Sequence, residues 1–422
     1  MTAIDPVTAS DPLARKLPLL LLILMISAAF VVVEPSPFDV LALLMVVVAA
    51  LAGLRIPHGL AFPVMLAILF LLANLVSFVE VRDFAKASRY AAISAYMFII
   101  WGLFVALFYH DAERMFRAFW RGYLIAALVT ALIGIAAFLH LLPDGELFLK
   151  HGRAKGLFKD PNVYGPFLVP VVLYAGTKLF SSRHWRKLFY AISLAVLLTG
   201  LLLGFSRAAW GNMIVATLIL MTTRLVVTRS LRLLVSYLVA AGVTIGLLLI
   251  GITALLQIPT VAGMMEQRAT LIQSYDVGET GRFGTQKRAL LLGLEKPLGT
   301  GPGEVNDEFA RYPHNVYLLT LVENGWLGMV SFTAFLLLQI TIGFHYLRSI
   351  SHRPVSNSVD EGILIVFAVL LTTTMQSLFI DTLHWRHLFF LLGVLMGSIY
   401  WARSMHKKTG VAIRGTATPA NT

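Results

Sequence analysis

The chain is written in long apolar runs separated by short polar breaks. A helix crossing a hydrocarbon core of ~30 Å needs about 20 predominantly apolar residues. Runs of this kind lie at 17–33, 39–54, 60–78, 91–109, 118–140, 163–180, 188–204, 208–223, 232–256, 314–346, 361–380 and 387–402. The pattern predicts an all-α, polytopic transmembrane bundle of about twelve helices. One polar break is much longer than the others, at 257–313. The expected organisation is a cytoplasmic segment over 1–16, helices one to nine over 17–256 and a large periplasmic loop over 257–313. Helices ten to twelve follow over 314–403, then a disordered cytoplasmic tail over 404–422.

Composition agrees with this pattern. Charged residues make up 13% of the chain, hydrophobic residues 58%, and mean hydropathy is +0.79; soluble domains carry about 25% charged residues. The net charge of +12 forms no basic stripe on a soluble domain, so no nucleic-acid partner is implied. The absence of cysteine excludes disulfides, thiolate metal sites and a cysteine nucleophile. Lysine and arginine favour cytoplasmic loops. One set of loops and tails holds 19 of the 34 basic residues, nearly all in short connections. The other holds 15, ten of them in the two longest loops (141–162 and 257–313), where charge carries little weight. Both termini are therefore expected in the cytoplasm, and the long loop outside, in the periplasm.

Outer-face cations run against that bias, and each invites a local reason. Lipid headgroups satisfy some of them, but several sit at helix starts. In Gly156-Leu157-Phe158-Lys159-Asp160-Pro161-Asn162, Asp160 or Asn162 can cap the next helix. Lys159 and the exposed helix start could also hold an anion. Arg207 lies in Gly204-Phe205-Ser206-Arg207-Ala208-Ala209-Trp210, a very short turn between apolar runs. An arginine confined there binds a headgroup phosphate or an anionic substrate. Arg282 opens a helix predicted at 282–295, with Ala289, Leu290, Leu292 and Leu294 as its apolar contacts. A Pro297-Leu298-Gly299-Thr300-Gly301-Pro302-Gly303 turn closes it. These glycines match neither a dinucleotide fingerprint nor a P-loop.

His314 in Pro313-His314-Asn315-Val316-Tyr317 falls at the first turn of the tenth apolar helix. Imidazole accepts a proton near neutral pH and suits a general base for a hydroxyl nucleophile; a histidine bonded to a carbonyl is the alternative. Glu323, nine residues on, falls opposite His314 on an ideal helix. This favours an ion pair or a helix-breaking role for the carboxylate. In the last outer turn, Asp381 and Arg386 could pair with each other or hold Arg282.

Phe-Ser-Arg-Ala-Ala-Trp around Arg207, Arg282 before Pro-Leu-Gly-Thr-Gly, and Pro-His-Asn-Val-Tyr-Leu with Glu323, Gly325 and Gly328 resemble the O-antigen ligase family. That family includes O-antigen and exopolysaccharide polymerases. The resemblance covers most of the chain, with its motifs between 156 and 386. It implies a C-class membrane glycosyltransferase of the bacterial inner membrane that needs no cofactor and no metal. The implied donor is a glycan on undecaprenyl pyrophosphate, and the acceptor is lipid A-core or a growing polysaccharide. Arg207 and Arg282 would grip the pyrophosphate, and His314 would activate the acceptor hydroxyl. Lys159, Asp160, Asn162, Asn315, Tyr317 and Arg386 would support the site. A flippase or transporter also has about twelve helices, but it would place its polar residues at the bilayer midplane in an inverted repeat.

Overall fold

The computed structural model describes residues 12–228, 281–305, 309, 313–351 and 358–408, together with isolated positions 235, 253, 257 and 263. The apolar run at 232–256, most of the loop before Gly281, and the tail from 409 onward lie outside the described residues.

Eleven α-helices occur among the described residues. They are α1 (Pro12–Ser27), α2 (Pro37–Leu51), α3 (Ala61–Val76), α4 (Phe84–Phe138), α5 (Pro161–Ser181) and α6 (Trp185–Leu203). Then come α7 (Arg207–Thr228), α8 (Arg282–Glu295), α9 (Val316–Ser349), α10 (Ser358–Gln376) and α11 (Arg386–Lys408). Among the described residues, eight segments are long and apolar enough to cross a membrane, from His58–Glu80 to Arg386–Lys407. The protein is a multi-pass, all-α membrane protein.

Several boundaries follow local chemistry. Ser36 caps α2 in a reciprocal capping box with Asp39, and Pro37 takes the first helical position. Asp160 caps α5 by accepting the Asn162 amide, with Pro161 at the helix start. The runs at 91–109 and 118–140 join in the single long α4, broken at Asp111 (φ −157°, ψ 85°). There the Asp111 carboxylate accepts the Arg114 amide at 3.0 Å and restarts the helix. Helix α11 extends through Lys408, past the expected end at 403. No glycine or proline falls between 403 and Gly410, and cations suit a helix C-terminus.

The chain divides into two compact units. The first comprises residues 1–126, 274–346 and 369–422. Its helices approach through small residues, as membrane helices do. Gly393 and Gly397 of α11 lie against the Trp101 and Val105 carbonyls of α4, and Gly122 of α4 lies against the Leu22 carbonyl of α1. Around them Phe104, Phe119, Tyr123 and Phe390 form an aromatic cluster with centroids 5.3–6.4 Å apart. The second unit comprises residues 127–273 and 347–368. Gly165 of α5 there meets Ala209 of α7, and Gly200 of α6 meets Tyr164 and Ala131.

Candidate functional site

Helix α8 spans the residues expected from the sequence and starts at Arg282, after Gly281 as N-cap. Of its four expected apolar contacts only Ala289 is buried; Leu290 and Leu294 are exposed. Positions 282, 286, 289 and 293 share one face, by the i, i+4, i+7, i+11 spacing of an α-helix. Along that face the Gln286 amide donates to the Pro313 carbonyl at 3.4 Å. Gly293 is covered by the Leu321 side chain, and the Trp326 indole donates to the Gly293 carbonyl at 3.1 Å. One turn of α8 therefore separates position 282 from the peptide that carries His314.

His314 is half-buried and adopts a left-handed backbone, φ 48°. This region is uncommon for a residue with a Cβ, although histidine enters it more readily than most. Such strain persists only where the surroundings over-determine it, and it concentrates at functional positions. Here Asn315 takes over as cap: its Oδ1 accepts the Tyr317 amide at 3.0 Å and the Leu318 amide at 3.2 Å. The Val316 amide donates to the Ser377 carbonyl at 2.9 Å, and the Tyr317 hydroxyl to the Thr374 carbonyl at 2.8 Å. Asn315 and Tyr317 thus fix the chain on the C-terminal side of His314.

Helix α9 is broken at Gly325 (φ 66°, ψ −168°). The glycine turn after α8 fills the break. Thr300 donates its amide to the Val322 carbonyl at 2.7 Å, Gly301 to the Glu323 carbonyl at 3.0 Å, and Trp326 to the Pro297 carbonyl at 3.1 Å. A Cβ at Gly299 (φ 88°) would overlap the Glu323 carbonyl, so only glycine fits there. The Glu323 side chain accepts the Gly303 amide at 3.0 Å. The carboxylate thus supplies an acceptor to the turn beside this break, which itself falls at Gly325.

Arg386 is held by Asp39 of α2, with Nε–Oδ1 2.6 Å and a second bond to Oδ2 at 2.8 Å. The Tyr96 hydroxyl donates to the same carboxylate at 2.8 Å. This planar pair ties the start of α11 to the start of α2 and occupies the guanidinium. Nearby, Ser94 Oγ and His384 Nε2 lie 3.0 Å apart. Burial pushes the His384 pKa below the ordinary imidazole value, and Arg386 adds to this against the opposing charge of Asp381.

The remaining candidates lie in the second unit. A two-residue hairpin at His151-Gly152, both with positive φ, joins the short strands β1 (Leu149–Lys150) and β2 (Arg153–Ala154). Asp160 accepts the Asn162 amide at 2.8 Å and Lys150 Nζ at 2.6 Å. Asn162 Oδ1 in turn accepts Ser206 Oγ at 2.9 Å and an Arg153 guanidinium nitrogen at 3.1 Å. Arg153 is buried and also donates through Nε to the Gly204 carbonyl at 2.9 Å. The turn that delivers half-buried Arg207 is thus stitched to the start of α5, and Phe205 within it has φ 43°. Lys159 is exposed beside this corner. Lys155 is pushed below the ordinary lysine pKa by partial burial and by Lys150.

Arg153 was not singled out in the sequence. Its signal was Gly152, which permits a tight hairpin, but strands of two residues leave almost no alternation to detect. Gln286 was missed because its partner lies 27 residues away. Among the described residues, no group of three or more His, Asp or Glu side chains is arranged to hold a metal.

A search of curated proteins finds no match. The model of a family described as O-antigen ligase matches residues 192–333, about a third of the chain. The match contains Arg207, Arg282, His314, Asn315 and Tyr317; Lys159, Asp160, Asn162 and Arg386 lie outside it. Over that stretch, with its motifs and among multiple apolar helices, the chain is similar to the O-antigen ligase family.

Proposed function

We propose that the protein transfers a glycan from undecaprenyl pyrophosphate to an acceptor hydroxyl on the periplasmic face of the bacterial inner membrane, as in ligation of O-antigen to lipid A-core. Both termini lie in the cytoplasm in this reading. The observation that carries it is the strained, half-buried His314 beside the α8 face headed by position 282. A base there removes the proton of the acceptor hydroxyl as its oxygen bonds the anomeric carbon. The bond from that carbon to the pyrophosphate oxygen breaks, and the pyrophosphate leaves on its lipid carrier. Attack opposite the leaving group inverts the anomeric centre.

Arg282 neutralises charge on the departing pyrophosphate. Arg207 is assigned to the same anion on its sequence position. Arginine suits this task through charge-assisted, bidentate bonds to phosphate oxygens. Such stabilisation lets the leaving group depart without a metal ion or a cofactor. Purified protein in liposomes, given lipid-linked glycan with lipid A-core, should yield glycosylated lipid A-core and free undecaprenyl pyrophosphate. Extension of the lipid-linked glycan alone would assign polymerisation instead, and flux of donor without a new glycosidic bond would refute transferase activity.

A further inference from the structure

Helix α9 is longer than a crossing requires. From Trp326 to Ser349 it covers about 36 Å at 1.5 Å per residue, already more than the ~30 Å core of a bilayer. The segment 316–324 before the break is surplus, and its contacts show where it runs. At Val316 and Tyr317 it meets Ser377 and Thr374, at the C-terminal end of α10. At Glu323 it meets the glycine turn, which rests on the connection between α3 and α4. There Gly301 packs on Val81, Gly303 on Tyr90, and Glu304 accepts the Asp83 amide at 3.0 Å. Both places are ends of membrane-crossing helices. The segment therefore runs across the end of the first unit, and the chain turns into the membrane only at Gly325.

Helix α8 lies beside this segment in the same direction, with Gln286 at Pro313, Gly293 at Leu321 and Pro297 at Trp326. It has three faces. Thr285, Ala289 and Gly293 pack on protein, while Glu295 and Arg288, whose guanidinium lies over the Phe309 ring at 5.5 Å, are exposed on another face. Between them Phe283, Leu290 and Leu294 form a stripe at i, i+7 and i+11, exposed by 57%, 45% and 62%. The stripe ends beside Trp326, where the exposed Leu327 and Val330 begin the outward apolar face of α9.

We propose that α8 lies in the plane of the membrane boundary, with Phe283, Leu290 and Leu294 seated among lipid acyl chains and Lys287 at the headgroup level. An amphipathic helix with a cation beside its apolar face binds a lipid surface in this way. Continuity with the apolar face of α9 identifies lipid as what covers the stripe. The inference is independent of the reaction.

The chain has no cysteine, so single cysteines provide unique spin-label sites at exposed positions. In liposomes, nitroxides at Phe283→Cys, Leu290→Cys and Leu294→Cys should collide several-fold more with oxygen than with a soluble nickel chelate. Those at Arg288→Cys and Glu295→Cys should show the reverse. Nickel preference at all five positions would stand α8 in water and overturn the proposal. Oxygen preference at all five would overturn it too, because the helix would then be surrounded by lipid.

Discussion

The Gly303 amide donates to the Glu323 carboxylate at 3.0 Å, closing a break in a membrane helix with a turn drawn from 20 residues upstream. The acceptor is needed because Gly303 is buried, and an unsatisfied buried amide costs about 1–3 kcal/mol. Glu323→Ala should lose about that much stability, whereas Glu323→Gln keeps an acceptor oxygen and should unfold close to wild type. Thermal unfolding in detergent checks this; equal losses in the two variants would show that charge, not the hydrogen bond, matters.

The Asp39–Arg386 pair predicts a structural phenotype for an arginine expected to support the site. Removing one partner of a largely buried pair strands the other charge, at a cost of about 3–5 kcal/mol. Asp39→Ala and Arg386→Ala should both lower the unfolding midpoint strongly. Protein that remains folded should bind lipid-linked donor with unchanged affinity. Normal stability with weakened donor binding in Arg386→Ala would return Arg386 to the substrate.

Asn162 predicts an indirect effect on Arg207. Its Oδ1 holds both Ser206 and Arg153, so Asn162→Ala frees the turn before Arg207 and costs about 1–3 kcal/mol. Donor KM should rise while kcat changes less, because the arginine is mispositioned but present. Asn162→Asp keeps the acceptor and should restore most of the affinity. Failure of that rescue would argue against positioning through this oxygen.

His384 predicts acid sensitivity. Its folded-state pKa lies below the ordinary value of 6.5 because burial disfavours the cation. Below about pH 6.5 the unfolded chain therefore binds more protons at this site, and stability falls as pH falls. The neutral side chain imposes no such loss above that value. Unfolding midpoints between pH 7.5 and 5 should drop less steeply in His384→Gln than in wild type; parallel curves would assign the sensitivity elsewhere.

Much of the helical pattern was legible in the sequence. The apolar run at 163–180 became Pro161–Ser181, and the helix expected at 282–295 has those bounds, because proline, glycine and short polar caps mark helix ends locally. The break at Gly325 was not legible, since apolar residues continue through it and the turn that fills it comes from elsewhere in the chain. Nor was the partner of Arg386, which is 347 residues away. His314 could be singled out by residue type and neighbours. Its left-handed backbone and the approach of Gln286 depend on tertiary packing, and so does the exposed stripe of α8.

In the proposed reaction His314 activates the acceptor hydroxyl. The most direct test is single-turnover transfer by His314→Ala in liposomes loaded with lipid-linked glycan and acceptor, with insertion and donor affinity measured on the same sample. Donor binding should stay close to wild type and the transfer rate should fall by about 10²–10⁴-fold, the usual contribution of a positioned acid or base. Transfer at the wild-type rate, with the protein inserted and donor bound, would contradict it.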